Sequence, residues 1–296
     1  MSDRRTSLLA AAALLAMTAT WGSTFVLIKD LLDRVPTLDF LAVRFTIAGV
    51  AMLLVAPRAV RRLSPASRRH ALVLGGVYGV AQILQTAGLA HTAASVSGFI
   101  TGMYVVLTPV LAALLLRSRT TGLTWAAVAL ATAGLGVLTL DGVAVGYGEA
   151  ITLVSAVLYA LHIVGLGAWS NAREALGMSI VQLLVIAVVC LVATAPDGIV
   201  PPPTAADWLS VVYMALFAGA LALIGQTWAQ AHLSATRSAI IMSMEPVFAA
   251  FFAVLLGGES VTARMALGGL MVLTAMLVVE ALPRRKVEGE VQHLVV

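Results

Sequence analysis

The sequence consists of long apolar stretches separated by short polar or turn-forming segments, among them Pro36, Ser64-Pro65 and Asp141-Gly142. A helix needs about 20 mainly apolar residues to cross a bilayer. Because backbone polar groups cannot stay unpaired in lipid, each stretch is predicted to be a helix. The ten predicted spans are Leu8–Ile28, Phe40–Ala56, Ala71–Leu89, Ser95–Leu116, Leu123–Leu140, Glu149–Leu166, Ile180–Thr194, Trp208–Ala229, Ser238–Leu256 and Met265–Leu282.

The composition agrees with this pattern. Hydrophobic residues make up 60% of the 296-residue chain and charged residues 11%, whereas a soluble domain has about 45–50% and 25%. This balance excludes an ordinary soluble enzyme, a disordered tail and a nucleic-acid binder. A single cysteine, Cys190, excludes a disulfide framework. We therefore expect an all-α integral membrane protein, with the lipid bilayer as its surroundings.

The basic residues predict an orientation in the membrane. If the N-terminus is cytoplasmic, only Lys29, Arg34 and Arg264 of the 18 Lys and Arg fall outside, and Arg44 lies within a span. The other 14 fall inside: Arg4, Arg5, Arg58, Arg61, Arg62, Arg68, Arg69, Arg117, Arg119, Arg173, Arg237, Arg284, Arg285 and Lys286. This asymmetry follows the positive-inside rule. It predicts a multi-pass protein with both termini in the cytoplasm and an even number of spans.

The two halves of the chain resemble each other. Gln-Thr-x-x-x-Ala-His occurs at 85–91 and again at 226–232, an offset of 141 residues that also pairs Tyr104 with Glu245. We therefore predict two five-helix repeats, 1–143 and 144–283, followed by a cytoplasmic tail at 284–296. An odd number of spans in each repeat means that the second repeat enters the membrane inverted. Inverted repeats are typical of secondary transporters, whose substrate site lies near the midplane between the halves.

Two charged residues, Arg44 and Glu245, lie well inside the predicted spans. A charge at the bilayer centre costs on the order of 2.5–3.5 kcal/mol on insertion scales, so such residues are usually functional. The two could form a buried ion pair, or Glu245 could carry a proton during transport. Pro246 and Pro109 interrupt the hydrogen bonding of their helices, either to line a cavity or only to kink a helix for packing.

Neutral polar residues also recur at helical spacing. Tyr78, Gln82 and Gln85 share one helix face. Similar pairs occur on other predicted helices: Gln226 with Gln230, Tyr159 with His162, and Trp21 with Phe25. These side chains must face protein or water rather than lipid. Each could simply bond a neighbouring helix, at about 0.6 kcal/mol on average, but together they indicate the inward faces of four helices.

Several signatures of other functions are missing from the sequence. It contains neither the Gly-rich phosphate loop Gly-x-x-x-x-Gly-Lys-[Ser/Thr] nor the hydrolase motifs His-Glu-x-x-His and Gly-x-Ser-x-Gly. We therefore expect no enzyme activity, no cofactor and no metal. Transport would be driven by an ion gradient, with protons as a candidate coupling ion, or by the gradient of the substrate itself.

The motifs resemble those of the EamA branch of the drug/metabolite transporter superfamily over nearly the whole chain. Trp21-Gly22-Ser23-Thr24-Phe25 is similar to the family's first helix and Arg44-Phe45 to its second. The segments that resemble the fourth and ninth helices are 99–109, 234–237 and 245–249, with Gly258-Glu259 after them. One departure is Arg117-Ser118-Arg119, where many relatives have Gly-Glu-Arg.

The resemblance implies a ten-helix permease of the bacterial inner membrane, often an exporter of amino acids, related metabolites or drugs. We accordingly predict a secondary carrier for a small molecule, with a passive channel and, less favoured, an intramembrane lipid-processing enzyme as alternatives. The residues expected to bind the substrate come from the inward faces: Trp21, Ser23, Arg44, Gln85, Tyr104, Tyr159, His162, Gln226 and Glu245.

Overall fold

The structure is a computed structural model of the chain. It describes residues 2–91, 97, 100–118, 121–139, 146–195, 198–257 and 260–281. Within these ranges, every regular element is helical. The principal helices are α1 Ser2–Leu32, α2 Thr37–Val55, α3 Pro65–His91, α4 Tyr104–Leu116, α5 Gly122–Thr139, α6 Tyr147–Trp169, α7 Ala175–Thr194, α8 Ala205–Gln230, α9 Ala235–Leu256 and α10 Ala263–Ala281. A short helix, Pro57–Arg61, lies between α2 and α3.

The helices follow the predicted spans, but their lengths divide them into two groups. Seven of those described, α1 to α3 and α6 to α9, are long and apolar enough to cross a membrane. Three other apolar segments are shorter: Ile100–Leu116, which includes α4 and the residues before it, Gly122–Val137 in α5 and Ala266–Val278 in α10. The count of ten transmembrane helices therefore remains a prediction. The ends of α1 and α3 lie beyond the predicted spans, since polar residues continue both helices.

Two of the long helices are irregular. The middle of α8, Met214–Leu221, is a π-helix, a wider turn that occurs often at functional sites. The helix α9 consists of two parts, Ala235–Met242 and Glu245–Gly257, with a turn at Ser243 and Met244 between them. Pro246 contributes to this break because it has no N–H to donate to the carbonyl of Met242.

The two predicted repeats pack against each other along most of their length. Helix α3 packs on α6 while α8 packs on α1, and α4 packs on α6 while α9 packs on α1. Helices α2 and α7 contact each other, as do α5 and α10. Each of these contacts thus has a counterpart in which helix n is exchanged with helix n+5. The predicted boundary at 143/144 and the predicted tail at 284–296 lie outside the described residues.

Glycines allow the closest helix crossings. A Cβ at Gly22 of α1 would lie 2.6 Å from Cβ of Phe248 and 2.8 Å from the backbone nitrogen of Ala249, both on α9. A Cβ at Gly134 of α5 would lie 2.9 Å from the carbonyl oxygen of Gly268 on α10. Only a residue without a side chain permits the backbones to approach so closely.

Large apolar side chains cover the outside of the bundle. Among those more than half exposed are Leu54, Leu114, Val192, Leu209, Phe251, Leu255 and Leu270. A soluble protein rarely exposes contiguous apolar surface on this scale. In a bilayer, the same surface contacts acyl chains.

Polar contacts between the repeats occur at both ends of the bundle. At the end predicted to be cytoplasmic, the carboxylate of Glu174 accepts hydrogen bonds from the backbone N–H of Ser64 (2.7 Å) and the hydroxyl of Ser67 (2.6 Å). The Ser67 hydroxyl and the Ser64 donors lower the pKa of Glu174 below its usual value. At the other end, Arg34 forms ion pairs with Asp30 (2.6 Å) and Asp207 (2.7 Å).

Candidate functional site

A cavity lies in the middle of the bundle, between the two repeats. Its walls come from α1, α2, α3, α6, α8 and α9, from Tyr104 of α4 and from Ser97 and Thr101 before it. It contains about 780 Å³ of empty space, including its open side. Its lining is Trp21, Thr24, Phe25, Ile28, Arg44, Tyr78, Gln82, Gln85, Thr86, Leu89, Ser97, Thr101, Tyr104, Tyr159, His162, Ile163, Gln226, Met242 and Glu245.

Eight of the nine residues predicted from the sequence to bind substrate line this one cavity. The exception is Ser23, whose hydroxyl donates to the carbonyl of Thr20 and bonds the hydroxyl of Tyr213 on α8 at 2.8 Å. In this conformation Ser23 therefore joins α1 to α8 instead of facing the cavity. Its neighbour Trp21 does face the cavity, and its indole N–H donates to the carbonyl of Ala218 in the π-helix at 2.8 Å.

Gln85 connects three elements of the cavity wall. The hydroxyl of Tyr159 on α6 donates to Oε1 of Gln85 on α3 at 2.6 Å. Nε2 of Gln85 donates in turn to the hydroxyl of Thr101 at 3.2 Å. The ring of Tyr78 contacts both Tyr159, at 5.5 Å between centroids, and His162, at 4.7 Å. The position of each of these polar groups is thus fixed by a neighbour.

His162 also bonds outside the cavity. Its Nε2 lies 2.8 Å from Oε1 of Gln182 on α7. Because that oxygen can only accept, Nε2 carries the proton. Nδ1 is then an acceptor, and it is buried without a partner among the described residues.

A second group of buried amides lies where α6, α7 and α8 meet. Nε2 of Gln226 donates to Oε1 of Gln230 at 3.0 Å, and Nε2 of Gln230 donates to the carbonyl of Ile163 at 2.8 Å. The hydroxyl of Ser179 on α7 donates to that of Thr227 at 3.0 Å. These bonds join α8 to both α6 and α7 at the end of the cavity nearest the C-terminus of α8.

The two charged residues of the cavity do not form an ion pair. No nitrogen of Arg44 lies within 4.0 Å of a carboxylate oxygen of Glu245. The guanidinium of Arg44 instead lies over the rings of Phe40 (5.8 Å) and Phe45 (5.1 Å). Of the two alternatives that the sequence left open, the ion pair is thus absent from this conformation, in which both charged residues line the same cavity, and proton transfer by Glu245 stays a prediction.

The helix breaks occupy corresponding positions in the two repeats, although the prolines do not. One turn falls at Met103, directly before Tyr104, and the other includes Met244, directly before Glu245. The offset of 141 residues pairs these two breaks. Pro109 lies inside the helix Tyr104–Leu116 and is not part of the cavity lining. Of the two roles that the sequence left open for Pro109, lining the cavity therefore does not hold in this conformation.

Sequence reasoning left several lining residues out of the predicted set, notably Tyr78, Gln82, Thr86 and Thr101. Tyr78 and Gln82 were identifiable, because they share a helix face with Gln85. Thr86 and Thr101 were not, because threonine hydroxyls in membrane helices commonly bond their own backbone. No group of three or more His, Cys, Asp or Glu that could hold a metal ion occurs among the described residues.

Comparisons with known proteins agree with this architecture. The sequence model of the EamA-like transporter family matches the chain twice, at residues 8–140 and 146–280. An uncharacterized transporter of Archaeoglobus fulgidus is 28% identical over 88% of this chain and 82% of its own length. The uncharacterized inner membrane transporter YedA of Escherichia coli K12 is 24% identical over 84% of this chain and 83% of its own length.

A solved crystal structure has a similar fold. It superposes with a TM-score of 0.75 at 19% sequence identity and covers 90% of this chain and 95% of its own. At this identity the likeness concerns the fold alone.

Proposed function

The chain belongs to the EamA-like transporter family, and it is therefore a multi-pass membrane transporter and not an enzyme. From this premise we propose that it is a secondary-active carrier that works by alternating access. Its substrate is a small metabolite, an amino-acid-like compound or a drug, and the direction is export. The observation that carries the proposal is the cavity itself: both repeats contribute to its walls, and eight side chains expected to bind substrate line it.

The packing of the helices supports two inverted repeats. The main contacts between the repeats, of α3 with α6, α8 with α1, α4 with α6 and α9 with α1, form pairs that exchange the first repeat with the second, as a pseudo-two-fold axis would require. Such symmetry gives two conformations of similar energy, in which the cavity opens to opposite sides. The paired breaks before Tyr104 and Glu245 provide places where α4 and α9 can bend during this exchange.

The proposed topology assigns the present conformation. With both termini in the cytoplasm, the C-terminal ends of α1 and α3 are outside. The cavity lining reaches these ends at Ile28 and Leu89, so we assign the conformation as outward-facing, the state in which an exporter releases its substrate. The bonds of Gln230 and Ser179 then close the cytoplasmic side.

Glu245 is the proposed coupling residue. It is a cavity-lining carboxyl, it lies at the break in α9, and no hydrogen bond to it is formed by the described residues. A carboxyl in this position can exchange a proton with whichever side the cavity faces. Glu245→Gln should abolish proton-coupled uptake while substrate binding remains. The matched control is Asp33→Asn in the exposed loop after α1. Unchanged proton coupling in Glu245→Gln would refute the role.

Counterflow in proteoliposomes tests the carrier itself. The compound that most stabilises the purified protein in a screen of amino acids, nucleosides and cationic drugs serves as labelled substrate. Unlabelled compound inside the vesicles should accelerate uptake of the labelled compound, because a carrier with bound substrate changes back to its other conformation faster than an empty one. A channel gives no such acceleration, so its absence for a transported compound would contradict alternating access and favour the channel.

A further inference from the structure

We propose that Arg44 binds the anionic group of the substrate, and that the substrate is a small organic molecule with a carboxylate. This inference rests on the proposed function, because it takes the cavity as the substrate site. The observation behind it is a buried arginine without a polar partner. Arg44 is only 5% exposed, yet no hydrogen bond or ion pair joins its guanidinium to another described residue, and its Nε is buried without a partner.

A buried guanidinium in this condition is strongly unfavourable. Arginine stays protonated in proteins and has five N–H donors, and removing its charge from water needs compensation by a partner of opposite charge. The rings of Phe40 and Phe45 stabilise the charge through their faces. A ring face does not, however, satisfy donors that point along the plane of the guanidinium. The N–H groups therefore require an acceptor that the described neighbouring side chains do not supply.

None of the other described polar groups of the cavity accepts a hydrogen bond from Arg44 in this conformation, including Oε1 of Gln226, which is itself buried without a partner. Glu245 lies too far away for an ion pair with Arg44. Oε1 of Gln85 already accepts from the hydroxyl of Tyr159 at 2.6 Å. Since Arg44 lines the cavity, the remaining source of an acceptor is a molecule inside it.

A carboxylate fits these requirements best. Its two oxygens match two parallel N–H groups of a guanidinium, a geometry that a single chloride ion cannot reproduce. The charge balance also favours a singly charged anion. Arg44 is the cavity's one Arg or Lys among the described residues, and Glu245 contributes a carboxyl to the same space. A phosphate dianion would therefore bring more negative charge than the site can neutralise.

Binding to the purified full-length protein tests the assignment without requiring transport. The probes are amino acids, the corresponding amides, which lack the carboxylate, and the corresponding deaminated acids, which lack the amine. Both sets of acids should raise the melting temperature of the wild type, and the amides should not. Arg44→Gln should weaken binding of the acids by about 10- to 100-fold, the usual effect of losing hydrogen bonds to a charged group.

Two further variants separate binding from folding. Arg44→Lys keeps the charge without the paired donors and should bind the acids at least about tenfold more weakly than the wild type; it also serves if Arg44→Gln does not fold. Asp33→Asn is the control, because Asp33 is exposed and lies outside the cavity lining, so this variant should bind the acids as the wild type does.

Four results would overturn the proposal: equal effects of amides and acids, an equal effect of sodium chloride alone, undiminished binding of acids by Arg44→Gln, or no binding of any carboxylate probe. Counterflow distinguishes this failure from failure of the proposed function. Acids that bind through Arg44 and are transported, but show no counterflow, would refute the carrier and leave the assignment of Arg44 intact. Counterflow of a neutral compound, without binding of any acid, would support the carrier and refute the assignment of Arg44.

Discussion

The crossing of α1 and α9 makes the sharpest prediction about stability. We expect Gly22→Ala to separate these helices, because the added Cβ would lie 2.6 Å from Cβ of Phe248 and 2.8 Å from the nitrogen of Ala249. Carbon atoms prefer a separation of about 3.5–4.0 Å, so the backbones must move apart by roughly 1 Å. Overpacking of this kind costs about 1–3 kcal/mol.

Gly76→Ala is the matched control. Gly76 is also inside a helix, but a Cβ there would meet nothing within 4 Å. Both substitutions gain the same helix propensity, about 1 kcal/mol, so the difference between the two variants isolates the clash. At about 2–4 °C per kcal/mol, Gly22→Ala should melt several degrees below Gly76→Ala in detergent.

Transport should follow stability at this crossing. Trp21 precedes Gly22, and Glu245 lies one helical turn before Phe248, so moving the helices apart displaces two walls of the cavity. We expect Gly22→Ala to lose most counterflow activity and Gly76→Ala to keep it. Equal melting temperatures together with full transport by Gly22→Ala would refute the argument that close packing at this crossing shapes the site.

Two contacts at the ends of the bundle give the remaining predictions. Glu174→Gln should lower stability by about 0.3–1 kcal/mol, the effect of an anion at a helix N-terminus, because the carboxylate caps α3 at Ser64 and Ser67. The lowered pKa of Glu174 means that it contributes stability above the pKa of the unfolded chain and loses it as pH falls through the folded value. The melting temperatures of wild type and variant should therefore differ at pH 7 and converge below about pH 4; a difference that does not change with pH would contradict this. Asp207→Asn should lower the melting temperature by removing the ion pair with Arg34 at 2.7 Å. Because Asp207 is buried and the contact is shorter than the Debye length of about 3 Å in 1 M salt, most of the effect should persist at high salt. The control is Asp33→Asn, and an effect of Asp207→Asn that disappears in 1 M salt would contradict a buried ion pair.

Much of the cavity was predictable because polar side chains in apolar helices have few places to go. Tyr159, His162, Gln85 and Gln226 had to face protein or water, and the structure brings them to one cavity. Ser23 belongs to the same motif as Trp21. It lies two residues further along α1 and therefore on a different side of the helix, where its hydroxyl bonds that of Tyr213. The sequence could not predict this, because the direction of a side chain depends on how the helix is rotated against its neighbours.

The sequence by itself determined the helical architecture, the family and the residue types of the site, because local hydropathy and the exclusion of unpaired polar groups from lipid act on each segment separately. Tertiary structure alone decided that Arg44 and Glu245 stand apart, that the breaks lie before Tyr104 and Glu245 instead of at equivalent prolines, and that Gln182 holds His162. These features depend on distances between helices that are remote in sequence. Such distances are set by close packing, at glycines such as Gly22, and no local pattern encodes them.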